Sequence, residues 1–274
     1  MAIGDSFTEG LCDDDPDRPG GHRGWADRLA TRLAVAAGNS SVAAGDSSVG
    51  TGDPSVVTYA NLAVRGRLLG DIVGPQLDAA LALGPDLVSV VGGGNDILRP
   101  RADVDVLAAK LDDAVARIRA CGADAVMVSP VDPKDAPVIR STRGRVATFV
   151  AHQNVIARRH GAYLVDQWSL TVLRDWRLWA EDRIHLTAEG HERVAAAAAA
   201  TLGLDVEEGW DTPLPARPPV DRRQALRQDA QWARQHLGPW VRRRLRGQSS
   251  GDAVVAKRPT LQPVSFHPRP QGPS

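Results

Sequence analysis

Ser6, Asp182 and His185 are the residues whose types and spacing make nucleophilic catalysis conceivable in this sequence. A serine hydroxyl attacks a carbonyl only when a positioned base takes its proton. Histidine suits that task because its ordinary pKa lies near neutrality, and a carboxylate on its second ring nitrogen holds the required tautomer. The three-residue step from Asp182 to His185 lets one loop present both groups on the same side of a turn. Acyl transfer also needs donors aimed at the developing oxyanion, each worth on the order of 3 kcal/mol. The backbone N–H groups of Ser6 and Gly66 and the side-chain amide of Asn95 are candidates. Gly93 and Gly94 let the backbone turn sharply just before Asn95. Asp5, Asn61 and Asp96 are expected to hold these loops through side-chain bonds to backbone. Cys12, near Ser6 in sequence, reads as a buried or incidental thiol.

Regular elements must bring these distant groups to one point. Residues 25–38 carry Trp25, Leu29, Leu33 and Ala36 at helical spacing, with Gly38 as a stop. Further helices are predicted over 67–84, 103–122, 144–161 and 187–203, the last capped by Thr187. Apolar runs predict strands over 55–64, 86–94, 124–130 and 162–168, and Met1-Ala2-Ile3 is the stump of a first strand. This alternation predicts an α/β fold with a parallel sheet covered on both faces. In such sheets ligands bind beyond the carboxyl ends of the strands. Ser6, Gly66 and Asn95 each follow a predicted strand, and Asp182 and His185 lie between the last strand and the last helix. Gly45-Asp46-Ser47 repeats the tripeptide at 4–6, but no strand precedes it and no helix follows. It sits in a Gly/Ser/Asp-rich stretch, 38–54, that reads as a flexible surface insertion.

Four dispersed segments, GDSFTEG (4–10), NLAVRG (61–66), GGGND (92–96) and DRIH (182–185), resemble in type and order the blocks of the SGNH hydrolases, also called GDSL-type lipolytic esterases. The resemblance covers roughly residues 1–203. It implies a flavodoxin-like three-layer α/β/α sandwich that hydrolyses small-molecule esters, thioesters or related acyl groups without a metal or other cofactor. It implies Ser6 as nucleophile, His185 as base, Asp182 as the orienting carboxylate, and Ser6, Gly66 and Asn95 around the oxyanion. The serine does not lie on a G-x-S-x-G elbow. Carbohydrate O-acetyl esters stay open as an alternative substrate. Members of this family usually carry a fuller first strand, so either the sheet tolerates the stump or, the reading favoured on foldability grounds, the natural chain begins upstream of Met1.

Composition narrows the remaining classes. The glycines at 92–94 continue into neither G-K-[ST] nor a dinucleotide fingerprint, which disfavours a nucleotide- or flavin-binding protein of the same fold. Two distant cysteines and no evident signal segment point to the cytoplasm. The formal net charge of zero hides an asymmetry: residues 221–274 hold eleven Arg and Lys against three Asp, a balance of +8, which leaves −8 on the first 220 residues. A Pro-rich linker is read over 205–221 and a basic helical extension over 222–247, with Trp232, Trp240 and eight arginines. Its opposite charge predicts packing against the acidic body, with weak contact to anionic surfaces as the alternative and no specific nucleic acid expected. From Gln248 the Gly/Ser/Pro-rich tail is expected to be disordered.

Overall fold

The computed structural model describes residues 1–38, 56–136, 139–216 and 250–264, with scattered positions between 221 and 238. The predicted insertion falls almost entirely outside these residues, as does most of the basic extension. Six strands form one sheet: β1 (Ala2–Ile3), β2 (Thr58–Asn61), β3 (Leu87–Val90), β4 (Asp124–Val128), β5 (Tyr163–Val165) and β6 (Arg258–Pro263). Their order is β5-β4-β3-β1-β2-β6; the first five are mutually parallel and β6 runs antiparallel to β2.

Side chains alternate between the two faces of the sheet, as the pleat requires. Ile3, Val88, Val90, Ala125 and Met127 enter one core. That face is covered by the helical stretch α3 (Leu69–Asp71) to α4 (Leu77–Ala82) and by α6 (Val104–Ala120) and α7 (Arg143–His160), following two short helices, α1 (Ser6–Glu9) and α5 (Gly94–Ile97), at strand ends. Ala2, Tyr59, Val126, Val128 and Val165 enter the second core, under α2 (Gly24–Ala36) and α8 (Ala188–Thr201). The alanine run of α8 is buried there, where small side chains let two helix backbones approach closely. The sandwich therefore has three layers.

The two-residue β1 lies at the centre of the sheet, bonded on both sides. Its ladder runs past the strand proper: Leu62 N–H donates to Ala2 O, Val64 N–H to Gly4 O and Val91 N–H to Ile3 O. Gln76 adds a clamp, accepting from Gly4 N–H at 2.8 Å and donating to Gly4 O at 3.0 Å. Gln76 lies in a π-helical turn (Ile72–Gln76) that contains Pro75 and joins α3 to α4. A Cβ on Gly4 would sit 2.5 Å from Thr8 Oγ1 and 2.9 Å from Val91 O, so only glycine lets the chain pass here into the turn that carries Ser6.

The C-terminal tail corrects one expectation. Arg258–Pro263 forms β6 on the free edge of β2, with Thr58 opposite Pro263 and Asn61 opposite Arg258. Its two prolines are compatible with an edge strand, where one side of the ladder makes no bonds. The segment read as a linker is also laid onto the body. Leu204, Val206, Trp210 and Leu214 pack against the second core, and Arg193 donates to the carbonyls of Gly209 and Trp210.

Candidate active site

Ser6 is the first residue of α1, immediately beyond β1. Asp5 caps that helix by accepting from Phe7 N–H at 3.1 Å, and Gly10 ends it in the left-handed region at φ 91°. The Ser6 hydroxyl lies 3.0 Å from His185 Nε2 across a separation of 179 residues. His185 Nδ1 lies 2.6 Å from Asp182 Oδ2. The other carboxylate oxygen of Asp182 accepts from the backbone N–H groups of Ile184 and His185, at 2.9 and 3.0 Å. This tight turn places Arg183 at φ 55°, a left-handed conformation that costs a non-glycine residue about 1 kcal/mol. The loop is closed behind by Ala180 N–H to His185 O and Thr187 N–H to Leu178 O.

The electrostatics follow from that geometry. Burial favours a protonated Asp182, but the His185 bond and the two backbone donors outweigh it and hold the carboxyl at about 2. Burial disfavours a charged His185, yet the Asp182 carboxylate and the Cys12 sulfur together raise the imidazole to about 9. Asp5 is buried, and desolvation lifts it to about 6 against the pull of Phe7 N–H and His185.

Cys12 departs from expectation. It is exposed rather than buried, adopts φ 67°, and sits with donor atoms of Asp182 and His185 within 4.8 Å of one another. Three such donors could in principle hold a metal ion. Both imidazole nitrogens are already engaged, however, so a metal would have to displace the bond to Asp182 or to Ser6.

Asn95, in α5 beyond β3, approaches the same point. Its amide nitrogen donates to Arg67 O at 3.1 Å and reaches Asp5 Oδ2 at 3.3 Å. Gly93 holds φ 94° against the Phe149 ring, so the turn before Asn95 demands glycine, whereas Gly94 faces open space. Gly66 follows β2 at φ 74°. Asn61 ties the loops together, donating to Thr8 O and Tyr59 Oη and accepting from Ala63 N–H, each at 3.0 Å. Asp96 accepts from Leu69 N–H at 2.9 Å and so fixes the start of α3.

Two further residues position this site and carry no local sequence signal. Buried Glu9 accepts from Arg65 N–H at 2.6 Å and pairs with the Arg65 guanidinium, which locks α1 to the turn at Gly66. The second, His191, lies buried in α8. Burial holds it neutral, near 3, with Nδ1 accepting from Trp25 N–H and Nε2 facing Leu11 O beside Cys12.

A cavity of about 310 Å³ opens beside Ser6. Its walls are mainly apolar, among them Ile97, Val131, Ile139, Leu173, Trp176 and Trp179. The segment after β4 supplies much of one wall, and Arg143 staples that segment through Asp132 at 2.7 and 3.0 Å.

Residues 2–193 match the GDSL-like lipase/acylhydrolase family. The chain belongs to that family. A GDSL-like acylhydrolase is a hydrolase of ester bonds, and solved structures agree on the fold. LAE5, an alpha/beta hydrolase enzyme from the metagenome of Lake Arreo, Spain, superposes with TM-score 0.59 at 22% identity, over 75% of this chain and 95% of that one. A catalytic mutant of Axe2, an acetylxylan esterase from Geobacillus stearothermophilus, superposes with TM-score 0.58 at 18% identity, over 79% and 95%. TesA gives 0.54 at 23% identity, over 73% and 96%. No match is found among curated proteins. Among the described residues of this GDSL-like chain, no helix is long and apolar enough to cross a membrane.

Proposed function

We propose that this GDSL-like chain is a serine esterase that acts on carboxylic esters with an apolar acyl group. The observation that carries the reading is the relay from Ser6 Oγ through His185 to Asp182, at 3.0 and 2.6 Å, set at the mouth of an apolar cavity. His185 Nε2 takes the hydroxyl proton as Ser6 Oγ attacks the ester carbonyl. The resulting oxyanion is held by Ser6 N–H, Gly66 N–H and the Asn95 amide, whose longer 3.3 Å contact to Asp5 is the one an oxyanion would take over. His185 then protonates the departing alcohol. Water, deprotonated by the same imidazole, attacks the acyl-enzyme and releases the acid. The apolar walls favour an alkyl or aryl acyl group over an acetylated sugar.

A fluorophosphonate probe tests this reading. The native chain is expected to be labelled on Ser6, as read by peptide mass spectrometry, and to hydrolyse p-nitrophenyl esters. Labelling at another residue, or none, overturns it.

The pH profile gives a second test. Only neutral His185 can accept the serine proton, so kcat/KM is expected to rise with pH toward a plateau, with its midpoint displaced upward toward 9. Asp182 and Cys12 both favour the imidazolium. Cys12→Ala should therefore move the midpoint to lower pH, a shift visible in kcat/KM measured from pH 5 to 10. An unchanged midpoint would mean that the Cys12 sulfur does not act on His185.

A further inference from the structure

The family match ends at residue 193, yet one wall of the cavity comes from far beyond it. Trp232 lines the same cavity as Ser6. Its indole N–H donates to Asp182 O at 3.0 Å. The Arg183 guanidinium lies 5.2 Å from the centre of the Trp232 ring and 5.6 Å from that of Trp176, so a cation joins two aromatic faces across the cavity. Arg183 is also the residue forced into the left-handed region by the turn that bears Asp182 and His185. Trp232 is thus fastened to the backbone and to the side chain of one loop, next to the proposed relay.

The chain around Trp232 is anchored on both sides. Upstream, residues 204–214 pack on the second core. Downstream, Ala256 packs against the first core and β6 completes the sheet edge.

Resting on the serine-esterase reading, we propose that Trp232 is the roof of the acyl pocket and determines acyl-length specificity. With the roof in place, the distal methylenes of a medium-chain acyl group leave water on entering the cavity; without it, they stay wet. An acetyl group, which need not reach the roof, gains little from it.

The test compares the native full-length chain with Trp232→Ala and Trp232→Phe on p-nitrophenyl acetate and octanoate. Trp232→Ala is expected to lower the octanoate-to-acetate ratio of kcat/KM about tenfold, the size of a hydrophobic subsite's discrimination, chiefly through KM. Trp232→Phe keeps an aromatic face without the N–H donor and is expected to restore most of the ratio. An unchanged ratio in Trp232→Ala overturns the proposal. So does an equal loss on both esters with a lowered Tm, which would mark Trp232 as only structural. A native chain that turns over neither ester and resists the fluorophosphonate would instead sink the esterase reading itself.

Discussion

Ser6→Ala is expected to lower kcat for ester hydrolysis by about 10⁴-fold or more while leaving the folded protein intact. The hydroxyl is half-buried, and its hydrogen bond to His185 Nε2 is its link to the proposed relay. The fold around it depends on other atoms: Asp5 caps α1, Gln76 clamps Gly4, and Glu9 pairs with Arg65. Alanine is tolerated at a first helical position, so the thermal midpoint should move by less than about 2 °C. His185→Ala should lose nearly as much activity, and the double variant little more than either, because the proposed nucleophile and base would act as one unit. A residual rate above the uncatalysed one is expected from the proposed oxyanion donors alone. Circular dichroism and thermal melts establish folding, and turnover of p-nitrophenyl esters reads the loss. Normal turnover by Ser6→Ala would move the chemistry to another residue.

Much of this arrangement is legible in the sequence because each site segment is short and uses backbone geometry that announces itself, and all but the Asp182–His185 loop directly follow a strand. Gly93 betrays a left-handed turn after β3, and the Asp182–His185 spacing betrays a loop that bonds to itself. Strands and helices of the body show through their periodicity. What escapes reading depends on pairs far apart and free of period. Glu9 meets Arg65 across 56 residues and Gln76 meets Gly4 across 72. Cys12 looks unremarkable until the left-handed turns at Gly10 and Cys12 swing its sulfur toward His185. Likewise β6 hides behind its prolines and low apolar content, since an edge strand needs neither a clean alternation nor a full set of donors.

The tail's hold on the body leads to the largest expected change in stability. Lys257, just before β6, sends its ammonium group inward, where its three N–H donors are shared among four acceptors: Glu9 O at 2.6 Å, His22 O at 2.9 Å, Arg23 O at 2.8 Å and Asp27 Oδ2 at 2.6 Å. Burial lowers the pKa of Lys257 and raises that of Asp27, so each charge resists its site and is kept there by the other. Such a pair adds little over an apolar replacement, but removing one partner strands the second. Lys257→Ala leaves three carbonyls without their donor and the buried Asp27 carboxylate with only the more distant Arg258, 3.7 Å away, of its two ion-pair partners, an expected loss of about 3 kcal/mol. For a chain of this size that corresponds to a drop in Tm on the order of 10 °C. Asp27→Asn combined with Lys257→Met removes both charges and should recover part of it. The damage should also reach activity, because Glu9 ends the helix that begins at Ser6 and Arg23 precedes α2. A Tm within about 2 °C of native in Lys257→Ala would mean that the strand at the sheet edge is held by its ladder alone.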